Sequence, residues 1–182
     1  MAAAIDPRVL VLEKELARVR GEFERALAAV PAEKLHKAPK EGAWTPAQLL
    51  WHLAKIERGV ARLLERLDAG LGPMDTVPPG PSVRDVLKLL DQYNFADRSR
   101  KLAAPDGLRP PESVDVVAEK GRLADGRTQL LDIMRLSGPR LAILRYDHLF
   151  FGPFDGFQWA LMIARHEERH ILQLEETLAA TP

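Results

Sequence analysis

The sequence predicts an all-α protein, a four-helix bundle with a long loop and an extra short helix in its middle region. Three observations carry this prediction. Apolar residues recur at intervals of three and four over long stretches, as they do on one face of a helix. Connections rich in proline and glycine separate those stretches. No segment alternates apolar and polar residues with period two, and no hairpin dipeptide sits between β-branched runs, so strands are not expected. Long helices joined by such links pack antiparallel as a bundle; a three-helix or irregular α domain is the competing arrangement. A chain of 182 residues suits a single domain over residues 1–182.

The first helix follows Asp6-Pro7, an N-cap with proline at the first helical position. Leu12, Leu16, Val19, Phe23, Leu27 and Val30 form its apolar stripe, and Pro31 ends or bends it. The second helix has the clearest start. Thr45 caps, Pro46 takes the first helical position, Gln48 completes a T-x-x-Q capping box, and Trp44 and Leu49 occupy the staple positions. Its stripe is Leu49, Leu53, Ile56, Val60, Leu63 and Leu67, and Gly70 closes it. Residues 71–81 read as a loop. Ser82 with Asp85 opens a shorter helix towards Leu102, and the segment from Ala104 to Pro111 is another proline-broken link. A third long helix is expected from Val114 to Leu136, with Val117, Ala124, Leu131 and Met134 on its buried side. Gly138-Pro139 breaks it, and residues 140–154 read as an irregular connection. Asp155 with Gln158 then caps a last helix running to about Ala179.

Composition removes several classes of function. Lys+Arg and Asp+Glu are 26 each, so the net charge is zero and no long-range basic field is available to hold nucleic acid. Arg58, Arg62 and Arg66 are interleaved with Glu57 and Glu65, which reads as a solvated helix face. The absence of cysteine excludes disulfides, thiolate nucleophiles and Cys-based metal sites. No apolar run approaches the roughly 18 residues of a membrane span, and the start, MAAAIDPRVL, is not a secretory signal. A soluble cytoplasmic protein is expected.

The chemistry-bearing residues are histidines. His166 and His170 are four apart, so they lie about 40° apart on one helix face. His170 aligns with the apolar residues Trp159, Ile163 and Leu174, and His52 lies between Leu49 and Ile56 on the inward side of the second helix. Three imidazoles from two helices therefore converge inside a bundle. Buried neutral imidazoles each need partners for two ring nitrogens. A divalent cation accepts all three lone pairs and keeps a position for water or substrate. Against this stands the ordinary alternative, an inward His52 that is a satisfied core residue. His36 and His148 fall in connections and read as solvated surface residues. The segment His166-Glu167-Glu168-Arg169-His170 also spells H-E-x-x-H, the zinc-protease pattern. Only twelve residues follow His170, none of them His, and Gln173 and Glu176 stand where a third-ligand extension needs Gly and His. Glu167 as a base at the site stays open beside a salt-bridged or solvated role. Trp44, Trp51 and Trp159 are candidates to wall a cleft, although core packing explains each.

Trp44-Thr45-Pro46-Ala47-Gln48-Leu49-Leu50-Trp51-His52-Leu53 resembles the W-[ST]-P-x-[EQ]-x-x-x-H-L segment of the DinB/YfiT-like superfamily of metal-binding four-helix bundles. His166-Glu167-Glu168-Arg169-His170-Ile171-Leu172-Gln173 resembles its H-x-x-R-H-x-x-Q segment, and Phe151-Gly152-Pro153-Phe154 its turn before the last helix. The resemblance implies a divalent metal, zinc or nickel, held by His52, His166 and His170. It implies a metal-dependent enzyme, a thiol-dependent S-transferase or a small-molecule hydrolase. The alternative is a non-catalytic, metal-stabilised bundle serving as a structural or partner-binding module. Its expected partners are a small-molecule substrate, including a low-molecular-weight thiol, and a second copy in a homodimer; neither nucleic acid nor membrane is expected. The chain departs from the family pattern in residues 71–111, which belong either to the metal cleft or to an interface.

Overall fold

A computed structural model describes residues 4–74, 76–95, 97 and 103–179. Four long helices form the bundle: α1 (Pro7–Ala28), α2 (Pro46–Ala69), α3 (Val116–Ser137) and α4 (Gly156–Ala179). α1 packs along α4 and α2 along α3, with α2 also touching α4.

The helix starts follow their capping chemistry. The Arg8 N–H donates to Asp6 Oδ1 (2.8 Å) ahead of α1. At α2 the Gln48 N–H donates to Thr45 Oγ1 (3.1 Å) and the Thr45 N–H to Gln48 Oε1 (3.0 Å), closing the capping box. Asp155 and Gln158 repeat that reciprocal pair at α4, both bonds 2.9 Å. Each such cap satisfies backbone donors that the first turn leaves free, an effect of about 1 kcal/mol. The α1 stripe of Leu12, Leu16, Val19, Phe23 and Leu27 is buried, as are Leu49, Leu53, Val60 and Leu63 of α2. Burying one such side chain contributes about 1.5–3 kcal/mol relative to exposure.

α3 differs from expectation in its face. Of the expected face, Met134 is buried and Leu131 half-buried against the core, but Val117 is 82 % exposed and Ala124 is exposed; the buried side also takes in Leu123, Gly126, Arg127, Leu130 and Ile133. An apolar-period argument cannot find this face, because two of its inward positions are a glycine and an arginine. Gly126 is inward because α2 runs against it: a Cβ there would lie 2.9 Å from Arg58 Cγ. The cap is Asp115, whose Oδ1 accepts from the Val117 and Ala118 N–H groups, so α3 begins two residues after Val114.

The described residues of the middle region form no α-helix. It forms single 3₁₀ turns at Val86–Lys88, Asp91–Tyr93 and Asp106–Leu108; residues 98–102, where the expected short helix ends, lie outside the described residues. Val86, Leu90 and Phe95 join the core, and Arg165 and Arg169 of α4 donate to the carbonyls of Leu87 (3.2 Å) and Phe95 (3.0 Å). Residues 140–154 also hold more order than expected. After a 3₁₀ stretch at Gly138–Ile143, strands β1 (Tyr146–His148) and β2 (Gly152–Phe154) pair antiparallel with His148 opposite Gly152. The three-residue loop between them closes on Gly152, whose φ of 80° is the left-handed position such hairpins require. No helix among the described residues is long and apolar enough to cross a membrane.

Candidate metal centre

α2 and α4 bring His52, His166 and His170 together, with one ring nitrogen of each inside a 4.8 Å sphere of mutual distance. His52 Nε2 lies 3.3 Å from His166 Nε2, which lies 3.1 Å from His170 Nε2. Two imidazole nitrogens on one tetrahedral zinc ion, each about 2.0–2.1 Å from it, stand about 3.3 Å apart. Both edges that meet at His166 Nε2 therefore already match those of a tetrahedral donor set.

The outer nitrogens fix the tautomers. His52 Nδ1 is 2.9 Å from the Leu108 carbonyl, which only accepts, so Nδ1 carries the hydrogen and Nε2 presents a lone pair. His170 Nδ1 meets Gln173 Oε1 one turn on, with the same consequence. A hydrogen on His166 Nε2 serves only one of the two lone pairs aimed at it; a cation serves all three nitrogens. The donor set thus fits a divalent ion. Burial pushes His52 below the ordinary imidazole pKa. Burial and then the neighbouring His170 and His52 push His166 well below it. All of this favours the neutral form that ligates metals.

Trp44 closes one side, its ring 4.8 Å from His52 and 6.5 Å from His170, stacked at 20° on the latter. Trp51, next to His52 in sequence, lines a separate groove between α2 and α3. Trp159 packs against His148 at 5.3 Å. His36 is exposed, as expected. His148 is not a solvated residue. Its ring is boxed by Phe151 (4.8 Å), Phe154 (5.0 Å) and Trp159, its Nδ1 accepts the Phe150 N–H (3.2 Å), and burial pulls its pKa down to about 4. The aromatic run around it (Phe150, Phe151, Phe154) was the available signal.

Among the described residues no fourth imidazole or carboxylate joins the triad. Glu167 in particular faces elsewhere. It is 1 % exposed and accepts from Arg20 Nε (2.6 Å) and Arg127 Nη2 (2.9 Å). Glu57 accepts from Arg20 Nη2 (2.5 Å) and from Arg127 Nε, closing a ring of alternating charge with one residue from each helix. Burial raises the Glu167 pKa against the pull of the two guanidiniums that contact it. The protease reading of H-E-x-x-H fails here, because the glutamate that would act as base is bound in an internal ion cluster.

Two contributions to the centre had no role assigned from the sequence, although Gln173 closes the family-like histidine segment. Leu108, in the middle region, holds His52 through a backbone carbonyl, which side-chain motifs do not encode. Gln173 orients His170 from position i+3. The middle region therefore belongs in part to the cleft.

The crystal structure of TT2238, a four-helix bundle protein, matches this chain with a TM-score of 0.59 at 22 % identity, covering 90 % of this chain and 95 % of that one. At that identity the likeness shows the fold. No curated protein matches the sequence. The profile of the DinB superfamily matches residues 15–174, which include all three histidines and all but the ends of the bundle. On that match the chain belongs to the DinB superfamily.

Proposed function

We propose that the protein is a metal-dependent enzyme acting on a small molecule at a centre formed by His52, His166 and His170. Its reaction is group transfer to a low-molecular-weight thiol, or hydrolysis. The observation that carries this reading is the spacing of the three Nε2 atoms, 3.1 and 3.3 Å, with the outer nitrogens of His52 and His170 tied to oxygen acceptors. Three neutral ligands leave a bound zinc or nickel ion with its full charge and an open position, which supplies Lewis acidity for activating water or a thiol near neutral pH. The chain contributes no cysteine, so a thiol in the reaction comes from solution. Trp44 screens the centre from one side, and the absence of a fourth ligand among the described residues favours catalysis over a closed structural site.

The test is metal per chain, measured by mass spectrometry on wild type and on H52A, H166A and H170A, followed by turnover with a thiol panel and electrophiles. One ion per chain in wild type, lost in each variant, supports the centre. Unchanged occupancy in all three variants overturns it. Full occupancy without turnover of any thiol or ester supports a structural module instead.

A further inference from the structure

The outward face of α2 is more basic than its sequence suggests. Glu57, the acid between Lys55 and Arg58, is 2 % exposed and committed to Arg20 and Arg127 in the core. It neutralises nothing on the surface. Lys55, Arg58 and Arg62 are left on one side of the helix, and among the described residues none of them has an ion pair. All three line a cavity of about 260 Å³ between α2 and α3. Arg122 of α3 lies across from them, paired with Glu119, whose charge is thereby already spent. Trp51 forms one end, with the Lys55 ammonium 5.8 Å from its ring centroid. None of the three clustered histidines lines this cavity.

Gly59 also lines the groove. It sits in the middle of α2, where glycine costs about 1 kcal/mol relative to alanine. Close packing does not require it: nothing lies within 4 Å of the place a Cβ would occupy. Gly126, where the two helices do touch, shows the contrast. What the missing side chain of Gly59 leaves is room in the groove.

We propose that this groove is a second binding site, for a small phosphate monoester. Its phosphoryl group lies between Lys55, Arg58 and Arg62, and its organic part lies on Trp51. Guanidinium and ammonium groups without ion pairs bind a phosphoryl dianion through charge-assisted hydrogen bonds. The volume, that of roughly eight or nine waters, suits a small ester rather than a long polymer segment. A second copy of this chain is a poor occupant, because a two-fold axis would bring two equally basic faces together. The site is independent of the metal reading.

Phenyl phosphate is the probe, titrated calorimetrically against wild type, K55Q, R62Q, G59L and H170A, with inorganic phosphate, phenol and a thymidine 12-mer as comparisons. Phenyl phosphate is expected to bind more tightly than inorganic phosphate, and phenol not at all. K55Q and R62Q, both at exposed positions, are expected to weaken binding by at least ~5-fold. G59L is expected to abolish it, and H170A to leave it unchanged. Absence of binding at ~10 mM overturns the proposal, as does wild-type affinity in both R62Q and G59L. A loss confined to H170A moves the ligand to the histidine centre. Binding of the 12-mer without the ester replaces the proposal with a nucleic-acid surface.

Discussion

His52 and His166 are 114 residues apart in sequence, yet their Nε2 atoms stand 3.3 Å apart across the α2–α4 contact. Each ring is aimed by its own helix, and His52 is steadied further by the Leu108 carbonyl. A ligand that joins the two rings therefore joins α2 to α4, and its binding free energy becomes stability of the fold.

Zinc at 100 times its dissociation constant adds about 2.7 kcal/mol to the folded state. For a chain of this size that raises Tm by roughly 5–10 °C. Differential scanning fluorimetry should show the rise in wild type and its loss in H166A, where one corner of the triad is gone. A chelator should return wild type to the metal-free value.

Gln173 holds the outer nitrogen of His170 from a half-buried position one turn away. Q173A removes that acceptor and leaves all three ligands in place. Metal affinity should fall about 10- to 100-fold, as is usual when a ligand's outer hydrogen bond is lost. Competition with a chromophoric chelator measures this, and an unchanged far-UV spectrum separates it from unfolding.

Glu167 is a structural acid. E167A leaves Arg20 and Arg127 facing each other without one of their two shared carboxylates, and truncating one member of a buried ion pair costs about 3–5 kcal/mol. Urea midpoints should drop accordingly. A general base would behave differently, losing turnover while leaving the midpoint in place.

His148 links stability to pH. Its folded-state pKa is about 4 against the ordinary 6.5, so between these values the unfolded chain takes up a proton that the folded chain refuses. The stabilisation is complete above pH 6.5 and is lost as pH falls towards 4. Allowing for solvent screening of a half-buried ring, the loss is on the order of 1–2 kcal/mol. H148Q should show a shallower fall in urea midpoint from pH 7 to pH 5 than wild type does.

Three of the four helices were legible because their signals are local. A cap and an apolar stripe, with a first-turn proline at α1 and α2, fix α1, α2 and α4 to within a residue or two. α3 was legible in extent and misread in part of its orientation: Met134 is inward as expected, whereas Val117 and Ala124 face out. Its inward side carries Glu119, Gly126 and Arg127, and a residue's hydropathy says nothing about a partner on another helix. The same blindness made Glu57 look like a surface charge. Spacing pointed His52 and His170 inward with His166 flanking, and the resemblance of both histidine segments to the DinB pattern joined the three. The support of His52 could not be read this way, being a backbone carbonyl far away in sequence. Nor could the burial of His148, away from the triad, which comes from a hairpin whose strands are only three residues long.

The ring of Arg20, Glu57, Arg127 and Glu167 constrains how the bundle comes apart. Each helix brings one charge whose counter-charges sit on two others. Peeling away any single helix strands an ion in a low-dielectric interior, so a three-helix intermediate is penalised from whichever end the opening starts. Unfolding is thereby pushed towards an all-or-none event, and amide exchange in the centres of all four helices should report one common opening energy.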